Sequence, residues 1–145
     1  MGLDGSGIGV AVIDSGITKD QDLGQRVQVQ KSFNPNSNTV LDVNGHGTHV
    51  AGIIAMNGES AYGFYSGIAP GVNLFSLKVS DEAGMAYESD VVEAIQWVYD
   101  NKDTHNIRVV NLSINSTVQQ SYHTSPLDAA VEILWFNGVV VVASV

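Results

Sequence analysis

The chain has 145 residues, of which 44% are hydrophobic, and it carries a net charge of −9 with no cysteine. This length and composition are typical of one globular domain, so residues 1–145 are expected to belong to a single domain. The acidic balance argues against a nucleic-acid partner, and no apolar run reaches the ~20 residues of a membrane span. Without cysteine, neither disulfides nor thiolate metal sites can form.

Two hydrophobic periodicities alternate along the chain. Compact or alternating apolar runs predict strands, whereas apolar residues at helical spacing predict helices. Strands are predicted at 8–14, 26–33, 72–79, 107–114 and 139–145, and helices at about 45–56, 89–102 and 125–138. This alternation indicates an α/β fold in which helices cover both faces of a parallel sheet.

Two of the predicted helices carry boundary signals. Ser125 is the expected N-cap of the last helix, and Gly138 follows its end. Ser89 is the expected N-cap of the middle helix. The apolar face of that helix is expected to contain Val92, Ile95, Val98 and Tyr99.

Polar residues gather where the predicted strands end. In open parallel sheets, ligands bind at the carboxyl ends of the strands. Asp14 ends the first strand, residues 111–115 end another, and Gly45–His49 open a helix that starts at the same edge. The sequence therefore places a carboxylate, an imidazole and a polar strand end close together.

Three interpretations compete for His46 and His49, which lie three residues apart. A zinc site would need a third ligand and commonly a spacing of four with a nearby Glu, and neither is present. Two ordinary polar residues at a helix start are the second interpretation. In the third, Asp14 fixes the tautomer of His46, which acts as a catalytic base. His49 is then expected to support the helix from its packed side and to be more buried than His46.

Four blocks of sequence carry the strongest signal: GIGVAVIDSGI (7–17), NGHGTHVAGIIA (44–55), GIAPGVNLFSLKV (67–79) and VVNLSI (109–114). In this order and spacing they resemble the subtilisin-like serine proteases, the subtilase family, over nearly the whole chain. The resemblance implies a subtilisin-like three-layer α/β sandwich with a mainly parallel sheet, incomplete at the C-terminus. It also implies a catalytic triad in the order Asp, His, Ser. Asp14 matches the triad aspartate and His46 the general base, which takes the serine proton and returns it to the leaving amine.

The same resemblance implies one wall of a substrate pocket. The segment NLSIN matches the strand whose backbone lines the pocket for the residue before the scissile bond. The candidates are Ser113, Ile114 and Asn115. Many family members have two glycines where this chain has Asn115 and Ser116, so its pocket is expected to differ in shape.

The segment EAGMAY (82–87) resembles the opposite edge of that cleft. There, Gly84, Met85 and Ala86 would pair with an extended peptide by strand addition. A plain turn is the alternative interpretation of Gly84.

No metal site is predicted, and the implied chemistry needs no cofactor. Asp22 resembles a family calcium ligand, but its segment is one residue short. The loop 57–67 does not match the spacing of a common family calcium loop. Asp22 is therefore expected to be a solvated loop residue, and a structural calcium is left open for the full-length protein.

The third member of the triad is expected outside residues 1–145. The family continues past a strand like VVVVASV (139–145) into an Asn that donates to the oxyanion, and later into a Gly-Thr-Ser segment with the nucleophile. Ser15, Ser113 and Ser144 lack that setting. This chain alone is predicted to be inactive, and the remaining C-terminal part of the peptidase domain is expected to pack against the edge of the last strand.

Two functions remain open from the sequence. The first is a serine endopeptidase that acts on polypeptide substrates, and the family resemblance implies a secreted or extracellular location for it. The second is a non-catalytic subtilase-like module that binds extended peptides. The pair of Asp14 and His46 favours the peptidase, because a pure binding module has no need for an ionised carboxylate facing an imidazole.

Overall fold

The computed structural model describes residues 2–113 and 124–144, in which helices cover both faces of a five-stranded parallel sheet. The strands are β1 Gly9–Asp14, β2 Val27–Ser32, β3 Asn73–Lys78, β4 Ile107–Leu112 and β5 Val140–Ala143. The helices are α1 His46–Ala55, α2 Glu88–Asn101 and α3 Pro126–Phe136, and short 3-10 turns span Gly24–Arg26 and Glu59–Ala61. The strand order across the sheet is β2-β3-β1-β4-β5.

Strand β1 lies at the centre of the sheet and is buried along its whole length. Because side chains alternate across a strand, Val10 and Val12 pack on the face covered by α1, whereas Ala11 and Ile13 pack on the face covered by α2 and α3. This burial on both sides explains why the first strand is continuously apolar. It also fixes the position of Asp14 at the end of the strand.

The predicted elements are present, with ends that differ from the predictions by one or two residues. Every strand pair in the described part of the chain is parallel, which confirms the predicted sheet. Strand β2 is an edge strand with partly exposed side chains, as its alternating sequence predicts. No helix within the described ranges is long and apolar enough to cross a membrane.

Helix α2 differs from its prediction in its cap and in its buried face. It begins at Glu88 after Tyr87, so Ser89 is not the N-cap. Val92 is only half-buried and Tyr99 is exposed, so the predicted face is wrong in part. Val91 and Val92 both fit the helical pattern, and it is Val91 that packs in the core beside Ala94. The buried apolar stripe consists of Val91, Ala94, Ile95 and Val98.

Helix α3 has the predicted boundaries. The Ser125 hydroxyl accepts a hydrogen bond from the backbone N–H of Asp128 at 3.1 Å, which caps the first turn. Gly138 follows the helix with a φ of 79°, a left-handed conformation that favours glycine. The caps therefore locate this helix correctly from sequence.

Strand β5 forms one edge of the sheet, and its side chains are largely exposed. Val140 is 47% exposed and Val142 is 51% exposed, so the described residues do not cover both faces of this apolar strand. Large apolar side chains of α3 are exposed as well: Ile133, Trp135 and Phe136. The end of the described chain thus carries apolar surface that other polypeptide could cover.

Candidate active site

Asp14 and His46 meet at the carboxyl edge of the sheet, as predicted. Nδ1 of His46 lies 2.8 Å from Oδ1 and 2.9 Å from Oδ2 of Asp14, within the ~2.6–3.2 Å reach of a hydrogen bond. The backbone N–H of Ser15 also donates to Oδ1 of Asp14, at 2.6 Å. The side chain of Asp14 is 3% exposed and that of His46 is 53% exposed. A buried carboxylate therefore holds an imidazole ring that is half open to solvent.

This contact decides which ring nitrogen of His46 is left for chemistry. Asp14 accepts at Nδ1, so in the neutral ring Nδ1 carries the hydrogen and Nε2 carries the free lone pair. An imidazole in this tautomer can take a proton at Nε2, and the carboxylate stabilises the imidazolium that forms. The pair can therefore act as a general base and then as a general acid.

Helix α1 starts at this point because side chains from outside the helix satisfy its first N–H groups. Its N-cap Gly45 has a φ of 94° and no side chain with which to cap. The Ser15 hydroxyl accepts from the Gly47 N–H at 2.9 Å, and the Asp42 carboxylate accepts from the Thr48 N–H at 2.8 Å. These bonds replace the usual N-cap side chain.

Gly47 allows the helix to begin directly against the end of β1. A Cβ atom at this position would lie 2.2 Å from the carbonyl oxygen of Gly16 and 3.1 Å from Oδ1 of Asp14. Gly47, Ala51 and Ala55 form the buried face of α1 at a spacing of four residues. The small residues of the helix therefore form the side that packs against the sheet.

The predicted position of His49 is wrong. Its side chain is exposed, as that of His46 is, and it lines an open groove together with Thr18. The buried face of α1 is set by Gly47 and Ala51, and position 49 lies two residues from each of them, on the opposite side of the helix. His49 therefore does not support the helix from its packed side.

The segment predicted as one substrate edge follows β3 and folds back on itself. Ser80 and Ala86 form an antiparallel bridge. The Met85 N–H donates to the Asp81 carboxylate at 2.9 Å, and the Met85 carbonyl accepts from the Asp81 N–H at 2.9 Å. Gly84 has a φ of 86°, and both it and Met85 are exposed, while Ala86 is half-buried. The role of residues 84, 85 and 86 in peptide binding stays a prediction.

The other predicted edge lies beyond β1, at the end of β4. Ser113 directly follows β4, is half-buried, and its hydroxyl accepts a hydrogen bond from Nδ2 of Asn111 at 2.6 Å. Ile114 and Asn115 lie outside the described residues. Because β3 and β4 flank β1, the two candidate edges lie on opposite sides of the Asp14 and His46 pair.

Asp22 is buried, so its predicted place as a solvated loop residue is wrong. Its side chain accepts hydrogen bonds from the hydroxyl and, at 2.7 Å, from the backbone N–H of Ser60, and these bonds lower the pKa of Asp22. The backbone oxygens of Asp22, Ala55 and Pro70 all accept hydrogen bonds from the guanidinium of Arg26. No sequence pattern predicts this cross-link, because its acceptors are backbone oxygens, two of them from residues far along the chain.

This arrangement does not fit a calcium ion. Calcium takes about six to eight oxygen ligands, whereas the oxygens around Asp22 already accept from protein donors. Arg26 also places a fixed positive charge among them. Within residues 2–113 and 124–144, no group of three or more His, Asp or Glu side chains is placed to hold a metal ion.

Two residues near the site have roles that the sequence patterns did not assign. Asp42 caps the helix that carries His46, and an acidic residue just before a helical run is the signal that could have indicated it. Lys78 is 1% exposed, lies beside Asp14 in register, and donates to the carbonyl oxygen of Leu41 at 2.9 Å. Lys78 therefore anchors the segment that leads into Asp42.

Comparisons with known proteins identify the family of this chain. A family model described as the subtilase family matches residues 5–145. Serine protease AprX of Bacillus subtilis (strain 168) is 35% identical over 144 residues, which cover 96% of this chain and 33% of that protein. Subtilisin Savinase of Lederbergia lenta is 36% identical over 143 residues, which cover 99% of this chain and 49% of that protein.

A solved structure gives the same result for the fold. Sphericase superposes on this chain with a TM-score of 0.83 at 33% sequence identity, over 97% of this chain and 46% of that chain. The subtilisin-like architecture implied by the sequence is therefore confirmed. The chain spans about a third to a half of the length of these relatives.

Proposed function

Because this chain belongs to the subtilase family, we propose that Asp14 and His46 are the carboxylate and the general base of a serine endopeptidase that hydrolyses peptide bonds in proteins. The observation that carries this proposal is the 2.8 Å contact between Nδ1 of His46 and the buried carboxylate of Asp14. The imidazole ring of His46 is at the same time half open to solvent. The names of the two relatives, a serine protease and a subtilisin, support the same reaction class.

The proposed reaction uses the two nitrogens of His46 in different ways. Nδ1–H stays bonded to Asp14, while Nε2 takes the proton of the serine hydroxyl as its oxygen attacks the peptide carbonyl. The imidazolium then returns this proton to the leaving amine as the C–N bond breaks. A water molecule then gives a proton to Nε2 and attacks the acyl-enzyme, and the imidazolium returns the proton to the serine oxygen as the acid is released. Asp14 holds the ring and stabilises its positive charge in both halves.

The nucleophile in this proposal is a serine outside residues 1–145. The hydroxyl of Ser15 donates to Asp42 and accepts from the Gly47 N–H, so it is engaged in supporting helix α1. The hydroxyl of Ser113 accepts from a neighbouring side chain. We propose that residues 1–145 alone are inactive, since the oxyanion donor is also expected elsewhere and loss of one such donor costs roughly 10²–10³ in kcat.

The proposed peptide-binding cleft lies between the ends of β3 and β4. Ser113, Ile114 and Asn115 form one wall, and Gly84, Met85 and Ala86 form the other. The strands that lead into these two segments, β3 and β4, flank the strand that ends in Asp14, which supports this assignment. Because the backbone N–H groups of Gly84 and Met85 both donate to Asp81 in the described turn, strand addition at these two residues would require the turn to open.

The proposed partner of the exposed apolar surface at the end of the described chain is the rest of the peptidase domain. The exposed Val140 and Val142 on the edge strand, with Trp135 and Phe136 on α3, support this proposal. Apolar edge strands left uncovered are prone to aggregate. We propose a secreted or extracellular location by family resemblance, and no cofactor for the chemistry.

The experiment that tests the proposed function compares full-length protein with its Asp14→Asn and His46→Ala variants. The substrate is an unfolded polypeptide such as reduced, alkylated casein. The proposal expects hydrolysis by the wild type and a loss of several orders of magnitude in kcat for each variant at equal folded fraction, because members of a triad act as a unit. Binding of the polypeptide without cleavage by the wild type would instead favour a non-catalytic peptide-binding module.

A further inference from the structure

We propose that Asp42 is a positioning residue for His46, acting through a hydrogen-bonded bridge that joins the turn after Asp14 to the first turn of α1. This inference rests on the proposed function, since it concerns how the base is held. Asp42 does not touch the ring of His46. It contacts residues on both sides of the Asp14 and His46 pair.

The carboxylate of Asp42 accepts four hydrogen bonds. Oδ1 accepts from the Ser15 hydroxyl at 2.8 Å and from the Gly45 N–H at 2.7 Å. Oδ2 accepts from the Thr48 N–H at 2.8 Å and from the Thr48 hydroxyl at 2.6 Å. Burial alone would raise the pKa of Asp42, but the bonds from Thr48, Gly45 and Ser15 bring it below its ordinary value. The bridge therefore contains an ionised acceptor, which forms stronger hydrogen bonds than a neutral one.

Ser15 closes the bridge on the strand side. Its hydroxyl donates to Asp42 and accepts from the N–H of Gly47 at 2.9 Å. Ser15 is bonded covalently to Asp14, and Gly47 is bonded covalently to His46. The carboxylate, the hydroxyl and the two backbone segments thus form a closed ring around the catalytic contact. We therefore expect the loss of a bond of this ring to change the distance between the side chains of Asp14 and His46.

The segment that carries Asp42 is itself anchored from two sides. The buried ammonium of Lys78 donates to the carbonyl of Leu41 at 2.9 Å. The hydroxyl of Thr18 donates to the carbonyl of Asp42 at 3.2 Å, and the N–H of Thr18 donates to the hydroxyl of Thr48 at 3.0 Å. Because its own segment is anchored, the Asp42 carboxylate can hold the first turn of α1 in a fixed position.

A helix cap that serves stability alone would have a different signature. Removing such a cap would lower the folded fraction and leave the turnover of each folded molecule unchanged. Because two of the four bonds of Asp42 reach Ser15 and Gly45, which lie next to the catalytic pair, we expect its loss to change turnover itself. A misplacement of about 1 Å near reacting groups costs about 100-fold in rate.

The experiment uses Asp42→Asn in the full-length protein. The amide has nearly the shape of the carboxylate but replaces one acceptor oxygen with an NH₂ group, which must face the donors of Thr48 or those of Ser15 and Gly45. We expect kcat to fall about 10- to 100-fold with KM within about twofold of the wild type. The proton on Nδ1 of His46, followed by NMR, should shift or broaden in folded protein.

The matched control is Ile107→Val. Ile107 is fully buried at the amino end of β4, at the edge of the sheet opposite the catalytic pair, and its shortening destabilises by an amount comparable to loss of a cap. This control should keep wild-type kcat and the wild-type Nδ1 proton signal. If Asp42→Asn does not fold, Ser15→Ala provides the second test, because it removes the bridge to Asp14 and leaves the Thr48 bonds in place. We expect a several-fold drop in kcat and a shifted Nδ1 signal for this variant.

The outcomes separate the two proposals. Wild-type kcat together with an unchanged Nδ1 signal in folded Asp42→Asn would overturn the positioning role. If wild-type full-length protein shows no hydrolysis, the proposed function fails. In that case, a comparison of the His46 Nδ1 proton signal between the wild type and Asp42→Asn still decides whether Asp42 positions the imidazole ring.

Discussion

Gly47→Ala is the change that should separate Asp14 from His46 most directly. A Cβ atom at position 47 would lie 2.2 Å from the carbonyl oxygen of Gly16, which falls short of an ordinary 3.4 Å contact by about 1.2 Å. The obstructing atom belongs to the backbone, so no side-chain rotation can make room. Either helix α1 or the turn after β1 must move by about 1 Å. Overpacking of this kind costs about 1–3 kcal/mol, and a displacement of about 1 Å costs roughly 100-fold in kcat.

The assay combines urea unfolding with turnover of a peptide substrate by the full-length protein. The control is Gly52→Ala in the same helix, where the added Cβ would meet only Sδ of Met56 at 3.9 Å. This control should keep its activity and gain up to about 1 kcal/mol of stability, because alanine is the better helix former. If Gly47→Ala is as stable and as active as Gly52→Ala, the close approach of α1 to β1 is not what positions the base.

Four further outcomes follow from named contacts. His46→Ala should lower kcat by several orders of magnitude. His49→Ala should leave kcat and the unfolding midpoint nearly unchanged, because His49 is exposed. Equal losses of kcat in the two variants would contradict these separate roles. Arg26→Met should destabilise the fold by about 1–3 kcal/mol in urea unfolding, since three backbone oxygens lose their donor, and no loss would show that the guanidinium is dispensable. Because its pKa is lowered in the fold, Asp42 adds stability that is present above its ordinary value of 3.8 and lost as the pH falls through the lower value. Asp42→Asn should therefore make the unfolding free energy less sensitive to acid, and an unchanged pH profile would contradict this. Residues 1–145, expressed alone, should show no peptide hydrolysis.

Periodicity and strand-end logic predict most of this fold and the meeting of Asp14 with His46. The first strand is continuously apolar because both of its faces are covered, and the change from apolar residues to Asp14 marks its carboxyl end. The helix that starts near His46 begins at the same edge of a parallel sheet. From these two constraints, the meeting of a carboxylate and an imidazole can be predicted before any side-chain contact is known.

Helix faces and capping partners could not be predicted as well. Val91 and Val92 both fit a helical stripe, and packing against the sheet selects Val91. His49 was expected on the packed side, but Gly47 decides which side packs, through a contact with Gly16 that is distant in sequence. A single-sequence pattern carries no information about such a contact.

The polar cross-links show the same limit. Asp22 is buried because Ser60, from a loop with no matching motif, donates to its carboxylate. Arg26 bonds backbone oxygens, which are present at every residue and leave no mark in the sequence. Asp42 is a partial exception, because an acidic residue just before a helix is a known start signal, although its bond to Ser15 required the structure.

The role of His46 as the base that activates a serine is tested by labelling full-length protein with a fluorophosphonate probe, with and without His46→Ala, and mapping the labelled residue. Such a probe reacts with a serine only when a base has activated its hydroxyl. We expect one label per wild-type molecule, on a serine outside residues 1–145, and labelling of the folded His46→Ala variant that is slower by at least about 100-fold. Labelling of His46→Ala at the wild-type rate, or of a serine within residues 1–145, would show that His46 does not activate the nucleophile proposed here.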